Sequence, residues 1–149
     1  MNKDILGFAM RLLARREYSV AELQNRLVAR SGSVAEVNEV IAELQRQGSV
    51  SDQRYAECYL RSRIDRGDGP VKLQAALRQK GVPESVIRHS MAESTGEDWR
   101  DRLESLRNKR FGKQPPVDPA EWARQARFLQ GRGYTVEQIH RVIPPPWGH

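Results

Sequence analysis

A turn recurs along this chain at a spacing of about fifty residues, and that period constrains the architecture more than any other feature. Gly81-Val82-Pro83 is followed by Ile87, and Gly133-Tyr134-Thr135 by Ile139, with the two glycines 52 positions apart. Ser31-Gly32-Ser33, followed by Val37, is a looser copy, and Ser31 lies 50 positions before Gly81. In the two closer copies an apolar residue stands just before the helix cap, where it can staple onto the fourth helical residue. A repeat of this length signals one supersecondary unit that buries its apolar face by stacking on neighbours.

Between these turns the signals are helical. Ile5, Phe8, Ala9, Leu12 and Leu13 share one face of a first helix. Ser19 and Glu22 form a capping box, with Leu23 and Leu27 continuing the stripe behind it. A second capping box, Ser33 with Glu36, opens a helix with Val37, Val40, Ile41 and Leu44 inward, and Gly48 can end it in the left-handed conformation.

The plan returns twice. Ala56, Tyr59, Leu60 and Ile64 point inward from a helix over 51–66, and Gly67-Asp68-Gly69-Pro70 restarts the chain with Pro70 at a first helical position. Leu73, Ala76 and Leu77, then Val86, Ile87, Ser90 and Met91, complete that unit. Glu97 and Asp98 stand at the start of a helix carrying Trp99, Leu103 and Leu106, which Gly112 and Pro115-Pro116 break. Asp118 caps the next helix, with Trp122, Ala126 and Leu129 inward, and Thr135 caps the last, with Ile139 and Val142 inward.

No segment shows sustained two-residue alternation, so no sheet is expected. The fold class predicted is all-α: a tandem repeat of three three-helix units forming an elongated, curved array. The units run over residues 1–48, 49–95 and 96–143, with a flexible tail at 144–149 that Pro144-Pro145-Pro146 keeps from continuing the helix. A composition of 38% hydrophobic and 30% charged residues suits that shape, because each unit buries only its own stripe.

Catalytic patterns are missing from the sequence. The three histidines, His89, His140 and His149, have no second histidine at metal-ligand spacing and no carboxylate partner that stands out, so they read as solvated and no metal or cofactor is expected. Gly67-Asp68-Gly69 follows a helix and precedes Pro70, which lacks an amide donor, so it is a turn rather than a phosphate loop. Cys58, the only cysteine, excludes an internal disulfide and reads as a small helix residue. With no signal-peptide profile and no apolar run of membrane-spanning length, a monomer in the cytoplasm that binds a partner is the expectation, not an enzyme.

The partner suggested is acidic. The formal charge is +6, mostly from arginine, and rises from +1 over residues 1–50 through +2 over 51–96 to +3 over 97–149. Candidate contact residues are Arg54, Arg61, Arg63, Arg66, Lys72, Arg78, Lys80, Arg124 and Arg127, with the run Arg100, Arg102, Arg107, Lys109, Arg110 and Lys113. Arginine binds phosphate and carboxylate alike through two parallel hydrogen bonds, so DNA backbone and an acidic protein groove both remain open, as does a merely solvated face.

Several blocks resemble the RecX family, regulators of the bacterial RecA recombinase. They are Gly48-Ser49-Val50-Ser51-Asp52-Gln53-Arg54-Tyr55-Ala56-Glu57, Arg61-Ser62-Arg63, Gly67-Asp68-Gly69-Pro70, Leu77-Arg78-Gln79-Lys80-Gly81-Val82, Lys109-Arg110-Phe111-Gly112, and Arg127 through Tyr134. The chain departs from the family pattern at Ser51, where an aspartate is usual, at Asp68, and at Ser31-Gly32, which lacks a glycine–aromatic pair. The resemblance implies a protein that binds RecA, lodges in the groove of the RecA–DNA filament, and suppresses ATP hydrolysis, strand exchange and co-protease activity. Arg61, Arg66, Arg107 and Arg110 are then expected to carry charge-dependent contact. A nonspecific basic DNA-binding protein and a helical adaptor for another protein are the alternatives left by the residues themselves.

Overall fold

The computed structural model describes residues 1–94 and 99–146. Glu97, Asp98 and His149, all singled out above, lie outside them, as does the end of the tail from 147. The described residues hold nine helices and no strand: α1 (Lys3–Arg15), α2 (Val20–Ser31), α3 (Val34–Arg46), α4 (Asp52–Ile64), α5 (Pro70–Gln79), α6 (Glu84–Ser94), α7 (Trp99–Phe111), α8 (Pro119–Gly131) and α9 (Val136–Val142). They pack as two compact units. One comprises residues 1–60 with 76–90, the other residues 61–75 with the described residues from 91 onward.

Helix boundaries follow local chemistry. Both Ser19–Glu22 and Thr135–Gln138 form complete capping boxes. The box expected at Ser33 is only half made. The Ser33 hydroxyl accepts from the Glu36 N–H, but the Ser33 N–H goes to Ser31 Oγ at 3.0 Å, and Glu36 Oε2 instead accepts from Asn2 Nδ2 at 3.1 Å. A nearer hydroxyl wins the amide and frees the carboxylate for α1. Gly48 takes the left-handed conformation at φ +75°, with the Ser49 N–H bonded to the Leu44 carbonyl.

In the first unit, Ile5, Ala9, Leu12, Leu23, Leu27, Val37, Val40, Ile41, Leu44 and Val50 form one buried cluster, closed by Tyr18. Its link to the next repeat is polar. Ser19, at the start of α2, donates its hydroxyl to the Lys80 carbonyl at 2.7 Å. The Val20 N–H donates to Asp52 Oδ1 at 2.9 Å, so the first residue of α4 also caps α2. Gly81, at φ +82°, lies so close to Ala21 that a Cβ on the glycine would overlap the alanine Cβ.

The second unit makes the same joint with different atoms. The Gly69 N–H donates to the Arg132 carbonyl at 2.6 Å and the Val71 N–H to the Gly133 carbonyl at 2.9 Å, satisfying amides at the start of α5. A Cβ on Gly133 (φ +104°) would fall 2.6 Å from the Lys72 Cβ, and one on Gly69 2.6 Å from the Gly133 carbonyl. The two glycines picked out by their 52-residue spacing are therefore contact points at which one turn seats the first turn of another helix.

The core of this unit is Leu103, Trp122, Ala126, Leu129, Tyr134, Ile139 and Ile143. The Trp122 indole donates to the Ile143 carbonyl at 2.7 Å, which fastens the chain after α9. Beside it lies Arg107, only 7% exposed. Its guanidinium donates to Gln125 Oε1 at 3.0 Å, to Asn108 Oδ1 at 3.3 Å, and to the Gln114 carbonyl. The charge read above as a partner contact is thus turned inward. Arg107 belongs to a basic run in the sequence, but the chain after Gly112 folds back and supplies an acceptor that the run cannot show.

Two expectations follow. Gly133→Ala should cost about 1–2 kcal/mol for the left-handed backbone and about 1–3 kcal/mol more for overlap with Lys72. Gly112→Ala, at φ +85° with open space around it, should cost only the first part. Urea denaturation of both variants checks this, and equal losses would mean the joint is not tightly packed. Arg107→Ala should lower stability by about 2–4 kcal/mol, because it leaves Gln125 and the Gln114 carbonyl unpaired beside a cavity. A melting temperature within about a degree of the parent would show that the internal bonds carry no weight.

Candidate interaction surface

Most of the candidate contact residues lie in the second unit. A groove of about 480 Å³ is lined by Arg66, Arg102, Lys109, Asp65 and Asp101 around a floor of Ile64, Leu106 and Tyr134. Arg102 stands 4.0 Å from Asp65, which is itself 84% exposed. Arg132, which the charge reading passed over, donates to the Arg66 carbonyl and lies against Gly67, where a Cβ would sit 2.6 Å from its Nη2. Its Nε is buried without an acceptor among the described residues. Burial raises the Tyr134 hydroxyl above the usual tyrosine range, while nearby Arg102 and Arg132 pull it down. The sequence signal for Arg132 was its place between Gly131 and Gly133, which a search for basic runs does not weigh.

At the far end of α7 the cations lie over aromatic rings. Phe111 and Phe128 meet edge to face at 5.5 Å. Arg110 lies 5.0 Å from the Phe128 centroid and Arg124 4.9 Å from that of Phe111. Arg124 also grips Glu121 through two hydrogen bonds of 2.9 and 2.8 Å, which hold that carboxyl at about 2. Lys113 lines a second hollow of about 420 Å³, with Glu104, Pro115, Pro116 and Pro144.

The remaining candidates separate by what already holds them. Arg54 is an internal clamp: it bonds Glu17 at 2.6 Å and the carbonyls of Gly48 and Ser49 at 2.9 and 3.2 Å. Arg78 pairs with Glu84 at 2.6 Å, Lys72 approaches Asp68 at 3.7 Å, and Lys80 approaches Glu22 at 3.6 Å. Arg63 and Arg100 also have interaction partners. Arg61, Arg66, Lys109, Lys113 and Arg127 are exposed and make no ion pair with another described residue. Among the candidates, these five, with Arg110 on its aromatic support, have no ion pair to break before meeting a partner.

The described residues include no group of three or more His, Cys, Asp or Glu side chains that could hold a metal ion, and no helix long and apolar enough to cross a membrane. His89 and His140 are exposed, and His140 sits edge to face on Trp122 at 4.9 Å. Cys58 is a half-buried residue of α4.

Comparison with known proteins places these features in a family. The second three-helix domain of RecX matches residues 51–91 and the third three-helix domain matches residues 97–143. The regulatory protein RecX of Halorhodospira halophila is 41% identical over 131 residues, covering 88% of this chain and 81% of its own length. That of Chromohalobacter salexigens is 39% identical over 139 residues, covering 93% and 90%. Among solved structures, RecX from Lactobacillus salivarius superposes with a TM-score of 0.82 at 17% identity, over 94% of this chain and 92% of its own, a likeness of fold. With two domain models matched in order, and identity near two residues in five sustained over most of its length, the chain belongs to the RecX family.

Proposed function

We propose that this chain is a negative regulator of the RecA recombinase. It binds in the groove of the RecA–DNA filament as a monomer in the cytoplasm and lowers ATP hydrolysis, strand exchange and co-protease activity without catalysis of its own. The observation that carries this reading is the sustained identity to proteins named as regulatory protein RecX, across both matched three-helix domains. The division into repeats at 1–48, 49–95 and 96–143 is part of it, because successive repeats offer successive weak contacts whose effects combine.

The exposed cations support the same reading. Filament grooves present carboxylates and phosphates together, and Arg61, Arg66, Lys109, Arg110, Lys113 and Arg127 suit either. A nonspecific DNA-binding role rests on the same residues and differs in its observable. Affinity would then be as strong on naked DNA and fall steeply with salt.

DNA-dependent ATP hydrolysis by RecA, with this protein added well below one copy per recombinase monomer, is the direct test. Inhibition at that ratio is expected, since one bound regulator affects many subunits. No inhibition even in excess would remove the regulatory reading. The triple variant Arg61→Glu, Arg66→Glu, Arg110→Glu should weaken filament binding by about a hundredfold, on the scale of three charge contacts of roughly 1 kcal/mol each. Unchanged affinity would discard the assignment of those cations.

A further inference from the structure

We infer that the hollow beside Arg107 receives an acidic side chain of the protein partner. The inference rests on the regulatory reading for the identity of that partner, and on the hollow for the chemistry of the contact.

Arg107 is a cation only 7% exposed, and among the described residues no carboxylate bonds to it. Its hydrogen bonds run to Gln125 Oε1, Asn108 Oδ1 and the Gln114 carbonyl, all neutral acceptors. Neutral dipoles satisfy N–H groups, but a buried charge is costly to hold without an opposite one. A guanidinium carries five N–H groups, one on Nε and two on each terminal nitrogen. The three bonds use one on each nitrogen, so one N–H on Nη1 and one on Nη2 are left for a further acceptor.

Arg107 lines the hollow of about 420 Å³, whose rim residues Glu104, Lys113, Pro115 and Pro144 are exposed. That volume falls within the range of about 300–1,000 Å³ typical of sites that enclose a small ligand. Lys113 makes no ion pair with another described residue. Two cations against the single carboxylate of Glu104 leave the lining one positive charge in excess, which one incoming carboxylate cancels.

Depth selects the ligand. A group must enter the hollow to meet a guanidinium this buried. The carboxylate at the end of a glutamate side chain can do so, with its methylenes along Pro115, Val142 and Pro144. A phosphate within a nucleic acid strand is flanked by two sugars and suits exposed cations such as Lys109 and Arg127 instead.

Binding of the full chain to RecA filaments on poly(dT), followed by fluorescence anisotropy, tests the hollow through two exposed rim positions. Pro115→Trp narrows the mouth without changing charge and should weaken binding by about tenfold. Glu104→Gln removes the carboxylate that an incoming acid would face and should tighten binding by about threefold or more. Melting temperatures establish that each variant is folded, and should Pro115→Trp melt early, Glu104→Gln decides alone. Parent affinity in a folded Pro115→Trp or Glu104→Gln protein overturns the hollow as a contact and leaves the regulatory reading standing. A gain for Glu104→Gln on naked poly(dT) as large as that on the filament assigns the hollow to DNA phosphate and overturns the acidic side chain. A parent chain that binds no filament overturns the regulatory reading and the proposed occupant together.

Discussion

The joint between a glycine turn and the first turn of a helix governs much of this structure. Each helix start brings amides that its own helix cannot satisfy, and each turn brings carbonyls left over from the helix it ends. At Gly81 and Gly133 the two sets meet, and the absence of a Cβ lets the backbones approach to hydrogen-bonding distance. Such polar joints matter, since each unpaired buried amide would cost on the order of 1–3 kcal/mol.

The same economy explains the arginines. A chain with 25 basic residues against 19 acidic ones looks like a charged surface awaiting a partner. Part of that charge is instead committed to holding turns. Arg54 binds the carbonyls of the turn after α3 and the Glu17 carboxylate, and Arg107 ties the loop after α7 to Gln125. Arg132 reaches back to the carbonyl of Arg66 across the space that Gly67 leaves open. Guanidinium suits this work because one planar group can serve two or three acceptors at fixed angles. What remains exposed and without an ion pair among the described residues is a smaller set, which includes Arg61, Arg66, Lys109, Lys113 and Arg127.

The family signature is accounted for in the same terms. Within Ser51-Asp52-Gln53-Arg54-Tyr55-Ala56, Asp52 caps α2, Arg54 clamps a turn, and Tyr55 and Ala56 are buried. Gly67 and Gly69 make room for Arg132 and Gly133. Several residues that mark the family are thus those that hold repeats together, while Arg61, Lys109, Arg110 and Arg127, in the same blocks, are exposed.

The helices, most of their caps and the repeat are legible in the string of residues. Apolar periodicity and Ser, Thr, Asp and Gly at helix ends act over three to five neighbouring residues, so they are legible in a string. It also marked Gly81 and Gly133 as special through their spacing. The tertiary structure alone decided which charges are free. Arg107 and Lys109 stand two positions apart on one helix, and one is buried while the other is exposed. Likewise Ser33 lost half its predicted cap to Ser31, and Glu36 turned to Asn2, because acceptors compete by distance in space. Local pattern fixes what each residue can offer, and only the folded chain settles which neighbour takes it.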